Sequence, residues 1–189
     1  MSKPVIRQVR PDDGGILVDL MDIAGQGFVL HLFRDSVAPG QTVRQFIVER
    51  VGNAESGVSY TKSWVAEVDG RIAGYIALDA VPADPDPVAD DTPPIFRPML
   101  ELEQLAPGTT VINMLATMPD MRGRGIGSAL LRFADTRAGP NGLCLTVLDS
   151  NAGAQRLYRR HGYRPAGRRP IVRNGWDVAA TDWLLMVKP

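Results

Sequence analysis

The chain carries one cysteine, Cys144, and two histidines, His31 and His161, among 189 residues. A lone cysteine excludes an intramolecular disulfide and a multi-cysteine zinc site, and two histidines are too few for a histidine-rich centre. No metal cofactor is expected. No apolar run approaches the ~18 residues of a membrane helix. The opening stretch, MSKPVIRQVRPDD, lacks the apolar segment that follows the basic residues of a signal peptide. A reduced, cytoplasmic setting follows, with no membrane partner. Net charge is also absent, with 21 basic against 21 acidic side chains, and no nucleic-acid partner is expected. The zero hides an asymmetry. Residues 1–120 hold 9 Lys and Arg against 17 Asp and Glu, and residues 121–189 hold 12 against 4. Either the two stretches interleave in space, or the C-terminal part builds an anion site.

What is present fits a globular protein. Hydrophobic residues make up 44% and charged residues 22%. At roughly 150 residues per domain the length predicts one domain. A core of this size buries about 70% of the unfolded surface and needs no covalent staple. The 19 glycines and 15 prolines exceed the roughly 7% and 5% of average chains and imply many turns.

The pattern predicts a strand at Pro4–Arg10, then a helix to about Ile23 capped by Asp12 or Asp13, with Ile16, Leu17, Leu20 and Ile23 at helical spacing. Gly25-Gln26-Gly27 breaks it. Further helices are expected over Val29–Val37 and Thr42–Val51. Strands follow at Ser63–Val68 and Arg71–Val81, joined by Asp69-Gly70, a strong hairpin signal. Residues 82–107 hold seven prolines and six acids against one arginine. They read as an exposed insertion with a short helix near Phe96–Leu105, either a solvated connector or a lid. The last third alternates: strand Thr109–Thr117, a glycine-rich turn, a helix to about Arg137, strand Leu143–Leu148, helix Asn151–His161, and a terminal strand Trp183–Val187. Ile126, Ala129, Leu130, Phe133 and Ala134 mark the buried face of the first of these helices. Strand–helix alternation indicates crossover connections and an α/β class.

The most informative segment is Arg122-Gly123-Arg124-Gly125-Ile126-Gly127-Ser128, between a strand and a helix. Alternating glycines remove the Cβ atoms that hold a ligand off the backbone. The first helical turn offers unpaired N–H groups and partial positive charge, and two arginines add to it. The alternative is a plain tight turn into a helix. The Rossmann spacing G-x-G-x-x-G and the Walker string G-x-x-x-x-G-K-[ST] are both missing.

The spacing that does fit is R-x-x-G-x-G, at Arg122, Gly125 and Gly127, preceded by LATMPDM and followed by SALL. It resembles the GNAT superfamily of acyl-CoA-dependent N-acetyltransferases, in which this turn holds the CoA pyrophosphate. Downstream, Asn151, Ala154, Leu157, Tyr158, Gly162 and Tyr163 match that family's N-x-x-A-x-x-L-Y-x-x-x-G-[FY] pattern. The detailed match covers residues 109–163. Thr117 stands where the family often has valine, and Asn113 stands in the region where many members have glutamate.

The resemblance implies an α/β fold with a mixed central sheet flanked by helices, one GNAT-like domain over residues 1–189. It implies acetyl-CoA as cosubstrate and direct transfer of the acetyl group to a primary amine on a small molecule, with a homodimer compatible. With the acceptor wall expected to come from the acidic stretch before residue 121, long-range charge favours a cationic acceptor. Backbone groups of Leu115, Ala116 and Thr117 would meet pantetheine and the thioester. Arg122, Gly123, Arg124, Gly125, Ile126, Gly127 and Ser128 would hold the phosphates. Asn151 would serve as helix cap and CoA contact, and Tyr158 would protonate the leaving thiolate or simply pack. Glu101 and Glu103 are the acids nearest in sequence for taking the ammonium proton. Cys144, inside LCLTV, reads as core. His161, in the last helical turn, reads as a partly cationic ring suited to the helix dipole. Arg156, Arg159 and Arg160 read as a solvated face. Two other readings remain: a CoA-binding module of the same fold without efficient transfer, and a different nucleotide-phosphate binder.

Overall fold

The computed structural model describes residues 2–54 and 59–189. Its strands are β1 (Val5–Gln8), β2 (Ser63–Val68), β3 (Arg71–Ala80), β4 (Thr110–Thr117), β5 (Leu143–Leu148), β6 (Arg164–Pro170) and β7 (Asp182–Lys188). Its helices are α1 (Gly14–Gly25), α2 (Phe28–Phe33), α3 (Val43–Gly52), α4 (Arg97–Glu103), α5 (Ile126–Asp135) and α6 (Ala152–Arg160). The strands form a mixed seven-stranded sheet of order β1-β2-β3-β4-β5-β7-β6, in which β4 and β5 run parallel and β1–β2, β2–β3, β5–β7 and β6–β7 run antiparallel. The chain packs as two compact units, Met1–Ala77 with Met114–Leu130, and Leu78–Asn113 with Leu131–Pro189.

In the first unit the period of α1 places Leu17, Leu20 and Met21 in a core with Ile47 and Val51 of α3 and Val65 and Tyr75 of the sheet. Burying such a side chain contributes about 1.5–3 kcal/mol each. The Tyr75 phenol is satisfied by the Ser63 hydroxyl at 3.0 Å, so its burial leaves no orphaned polar group. Thr42 caps α3. Its Oγ1 accepts from the Gln45 N–H at 3.2 Å, and Gln45 Oε1 accepts from the Thr42 N–H at 2.8 Å. The β2–β3 hairpin turns through Asp69 and Gly70, both at positive φ (50° and 77°), as its sequence requires.

In the second unit β5 is paired on both sides, with β4 over Thr110–Ile112 and with β7 along its whole length. Helix α4 packs on β5, β6 and β7. Gly167 admits it, because a Cβ there would lie 3.1 Å from Leu102 and from Leu105. Arg173 donates to the carbonyls of Val178 (2.9 Å) and Ala180 (2.8 Å), and Trp176 stacks on Trp183 at 5.9 Å. These contacts order the connection before β7.

Several expectations are corrected. The second helix ends at Phe33 rather than Val37. Asp13 does not cap α1 with its side chain. Its carboxylate takes a bidentate grip from Arg7 and accepts the Arg10 N–H at 2.7 Å, and the chain enters α1 through a 3-10 turn at Pro11–Asp13. On α5, Leu131 is buried and Phe133 is half-buried, with the Arg137 guanidinium 3.7 Å above the Phe133 ring. The acid-rich segment 82–107 belongs to the same unit as the arginine-rich C-terminus. The charge division at residue 120 is therefore not a division in space.

Candidate active site

Strand β4 carries Leu115 and Thr117 half-buried and Ala116 buried. Its end is anchored where the Met118 N–H donates to the Ala73 carbonyl at 2.9 Å. A 3-10 turn at Pro119–Met121 then leads into the glycine-rich loop. Gly123 and Gly125 stand at φ 75° and 77°, left-handed conformations that L side chains rarely adopt. A Cβ built on either meets nothing within 4 Å. These glycines are there for backbone path and open approach, not for packing. Gly74 is the opposite case: a Cβ there would lie 2.7 Å from Ile126 and 3.0 Å from the Ala116 carbonyl, so β3 lets α5 lie close behind β4.

Helix α5 opens directly off the loop, with the Ala129 N–H on the Gly125 carbonyl at 2.9 Å. Arg122, Gly123, Arg124 and Gly125 are exposed, Ile126 is buried, and Gly127 and Ser128 are intermediate. Asp120 faces Arg71 at 3.2 Å, and neither loop arginine has an acidic partner among the described residues. Exposed cations without internal partners, beside a helix N-terminus and bare backbone, form an anion-binding arrangement.

In the second unit Asn151 caps α6, its Oδ1 accepting the Ala154 N–H at 3.1 Å. Gln155, a buried amide not singled out in the sequence, donates to the carbonyls of Leu148 and Asp149 and ties α6 to the end of β5. Tyr158 is buried, its ring 5.8 Å from that of Tyr163. Desolvation alone pushes its phenol well above the ordinary range, so it stays protonated at neutral pH. The Tyr163 hydroxyl beside it is buried without a hydrogen-bond partner among the described residues. His161 is corrected: burial, then Lys188 and Arg132, lower its pKa, so the ring favours the neutral form. Cys144 is fully buried and accepts from the Thr109 hydroxyl at 3.1 Å. Burial pushes its thiol up to about 11, which makes it a core residue and no nucleophile.

The two candidate acids separate. Glu101 is ion-paired with Arg169 at 3.0 Å, and both are about 40% exposed. Glu103 has no cationic partner among the described residues. Burial, then the neighbouring Asp79, push its carboxyl up to about 7. Asp79 and the cavity above α4, lined by residues from Ala80 to Gln104, were not read from the sequence. Their only signal was a Glu beside apolar Leu100 and Leu102, following a proline-rich run.

The glycine-rich turn thus lies between β4, which runs parallel to β5, and α5. The acetyltransferase (GNAT) domain family matches residues 59–165, more than half of the chain. The chain belongs to that family. An uncharacterized N-acetyltransferase of Methanocaldococcus jannaschii is 33% identical over 129 residues, covering 66% of this chain and 64% of that relative's length. Among solved structures, an N-acetyltransferase from Staphylococcus aureus Mu50 superposes with TM-score 0.67 at 19% identity, covering 97% of this chain and 99% of the other. A GNAT family acetyltransferase from Elizabethkingia anophelis with acetyl-CoA bound gives TM-score 0.58 at 16% identity, covering 100% and 99%. At these identities the likeness is one of fold. No helix among the described residues is long and apolar enough to cross a membrane.

Proposed function

We propose that the protein transfers an acetyl group from acetyl-CoA directly to a primary amine. The observation that carries this reading is the loop at residues 122–128: two positive-φ glycines with open space above them, two exposed arginines, and the start of α5. Phosphate oxygens would be held by the loop N–H groups and by Arg122 and Arg124, and the thioester by the backbone of Leu115, Ala116 and Thr117. The acetyl-CoA-bound structural neighbour supports the choice of cosubstrate.

The chemistry needs no covalent enzyme intermediate, in keeping with the inert Cys144. The ammonium acceptor first loses a proton to a base or to water. Glu101, held by Arg169, is set aside. The amine nitrogen then attacks the thioester carbon. As the C–S bond breaks, Tyr158 gives its proton to sulfur and is restored by the second proton leaving nitrogen. A backbone N–H at the oxyanion contributes typically 10²–10³ in rate. Asn151 fixes the start of the helix that carries Tyr158.

The test pairs two measurements. Calorimetric titration with acetyl-CoA should show saturable binding, and a thiol-release assay should show turnover with members of an amine panel. Binding without release by any amine favours a CoA-binding module. Preference for ATP or NAD over CoA overturns the reading.

A further inference from the structure

The proline-rich segment is fastened at both ends. At its base the Val81 N–H donates to the Thr109 carbonyl at 2.9 Å, and the Gly108 N–H donates to the Val81 carbonyl at 3.1 Å. Further out, Gln104 Nε2 donates to the Asp86 carbonyl, and the Arg97 guanidinium donates to the Ala89 carbonyl at 3.1 Å and lies 3.6 Å from Asp90. Thus strapped over α4, residues 80–89 roof a groove of about 340 Å³ that Leu100, Glu103 and Gln104 also line. Pro82, Pro85 and Pro87 have no N–H to give, so the outer strap depends on the side chains of Arg97 and Gln104. Such bonds compete with water and are weak net of it.

Beneath the strap lies a carboxyl group that the transfer chemistry above does not use. Glu103 is half-buried and has no cationic partner among the described residues. Its surroundings are accounted for element by element. On α4, Arg97 is turned to the strap and Glu101 to Arg169. On β6, Arg168 is held by Asp182 of β7, and Arg164 is exposed at the start of the strand. Lys188 of β7 is on Asp135. Cys144 on β5 is a protonated thiol. The remaining neighbours are acids, Asp79 on β3 and Asp84 and Asp86 in the strap. A neutral carboxyl is tolerated in that place, whereas an ionised one needs water.

We propose that the strap is a latch worked by Glu103, closed over α4 while this carboxyl is protonated and released from Gln104 and Arg97 when it ionises. Burial, then Asp79, raise the carboxyl from 4.5 to about 7 under the closed strap. With the strap released the group is hydrated and returns to its ordinary value. The closed form therefore keeps its full stability below pH 4.5, loses it as pH rises to about 7, and levels off above. The main-chain pairing at Val81 and Gly108 persists, so release is local and bares Val81, Val88 and Leu100. The latch lies wholly within the second unit and is independent of the transferase reading.

The test places one thiol in the groove of the full chain. Val81→Cys replaces a side chain that is 7% exposed, and the fully buried native Cys144 reports global unfolding of the same molecule. Both thiols are labelled with 4,4′-dithiodipyridine from pH 5 to 8 and told apart by peptide mass. The rate at position 81 is divided by the rate measured with Glu103→Gln added, which cancels ionisation of the thiol itself. That ratio should rise at least tenfold between pH 5 and 7 and level off above. At every pH position 81 should react at least tenfold faster than Cys144. Val88→Cys, on the strap, is a second reporter and should give the same profile. Removing the fastenings with Arg97→Met and Gln104→Leu should speed labelling of position 81 at pH 5 at least tenfold. A ratio that stays flat with pH, equal rates for position 81 and Cys144, or no gain at pH 5 from removing the fastenings each overturns the latch.

Discussion

Gly125 combines a φ of 77° with empty space where a side chain would project. Gly125→Asp puts a carboxylate where phosphate oxygens are proposed to sit, and strains the backbone by about 1–2 kcal/mol. The fold should survive, since no neighbour is displaced, and acetyl-CoA affinity should fall by at least a hundredfold by calorimetry. Unchanged affinity would remove the loop from the cosubstrate site. Tyr158 offers a cleaner dissection. Tyr158→Phe keeps the buried ring that packs at a tilt against Tyr163 and deletes only the proton donor. Turnover should fall about 10²-fold or more with acetyl-CoA affinity within twofold. The phenol is held protonated by burial, so the wild-type rate should show no loss from its ionisation between pH 7 and 9. Equal turnover in the variant would leave Tyr158 as a packing residue.

Helix α6 is nine residues long and enters through a single capped turn. Asn151→Ala removes the acceptor for the Ala154 N–H and should cost about 1 kcal/mol of stability, read as a shift in the denaturant midpoint. Asn151→Ser, which retains a cap, should recover most of it. The entry to α1 depends on a different device. Arg7 on β1 grips Asp13 at 2.7 and 2.9 Å and Glu67 on β2 at 2.7 Å. Asp13 and Glu67 are 11% and 29% exposed. Arg7→Met strands both carboxylates in a poorly hydrated corner and should destabilise by roughly 2–4 kcal/mol in equilibrium unfolding. A loss below 0.5 kcal/mol would mean that water replaces the guanidinium.

The pH dependence of global stability follows from groups pushed in opposite directions. Asp13, held by Arg7, lies below its ordinary value, so its contribution is present above pH 3.8 and is lost as pH falls through its folded pKa. Glu103 is raised from 4.5 to about 7, so the native state favours its neutral form. Its ionisation then destabilises the fold progressively as pH rises from 4.5 to about 7. His161, lowered by burial, works against Glu103 in part of that window. A difference measurement cancels it. The stability of Glu103→Gln minus that of wild type should grow between pH 4.5 and 7 and level off above, by on the order of 1–3 kcal/mol after solvent screening. A flat difference would mean that Glu103 is well hydrated. The residue make-up of the two units also removes the long-range charge argument for a cationic acceptor, since the acids of 82–107 share a unit with the C-terminal arginines.

Local rules were enough for much of this protein. Apolar runs bounded by turn residues placed β2 and β5 at their observed bounds, and helical spacing placed α3 and α6 within a residue or two. Asp69-Gly70 turned where only a hairpin suited it, and Asn151 capped where its side chain reaches the next turn. The R-x-x-G-x-G spacing marked the loop because its path depends on backbone conformation, positive φ at Gly123 and Gly125, which glycine positions encode directly. Other features depend on partners distant in the chain. Asp13 left its capping role because Arg7 offered it two charged hydrogen bonds, six residues away in sequence but on another element. Glu101 and Glu103 look alike in sequence, and only packing gave one of them Arg169 and the other Asp79. The cavity roofed by residues 80–89 arises from side chains closing on backbone carbonyls up to 18 residues away. A local pattern reports the conformation of its own residues, whereas a pKa, a pocket or a charge balance is set by whichever side chains the fold brings alongside.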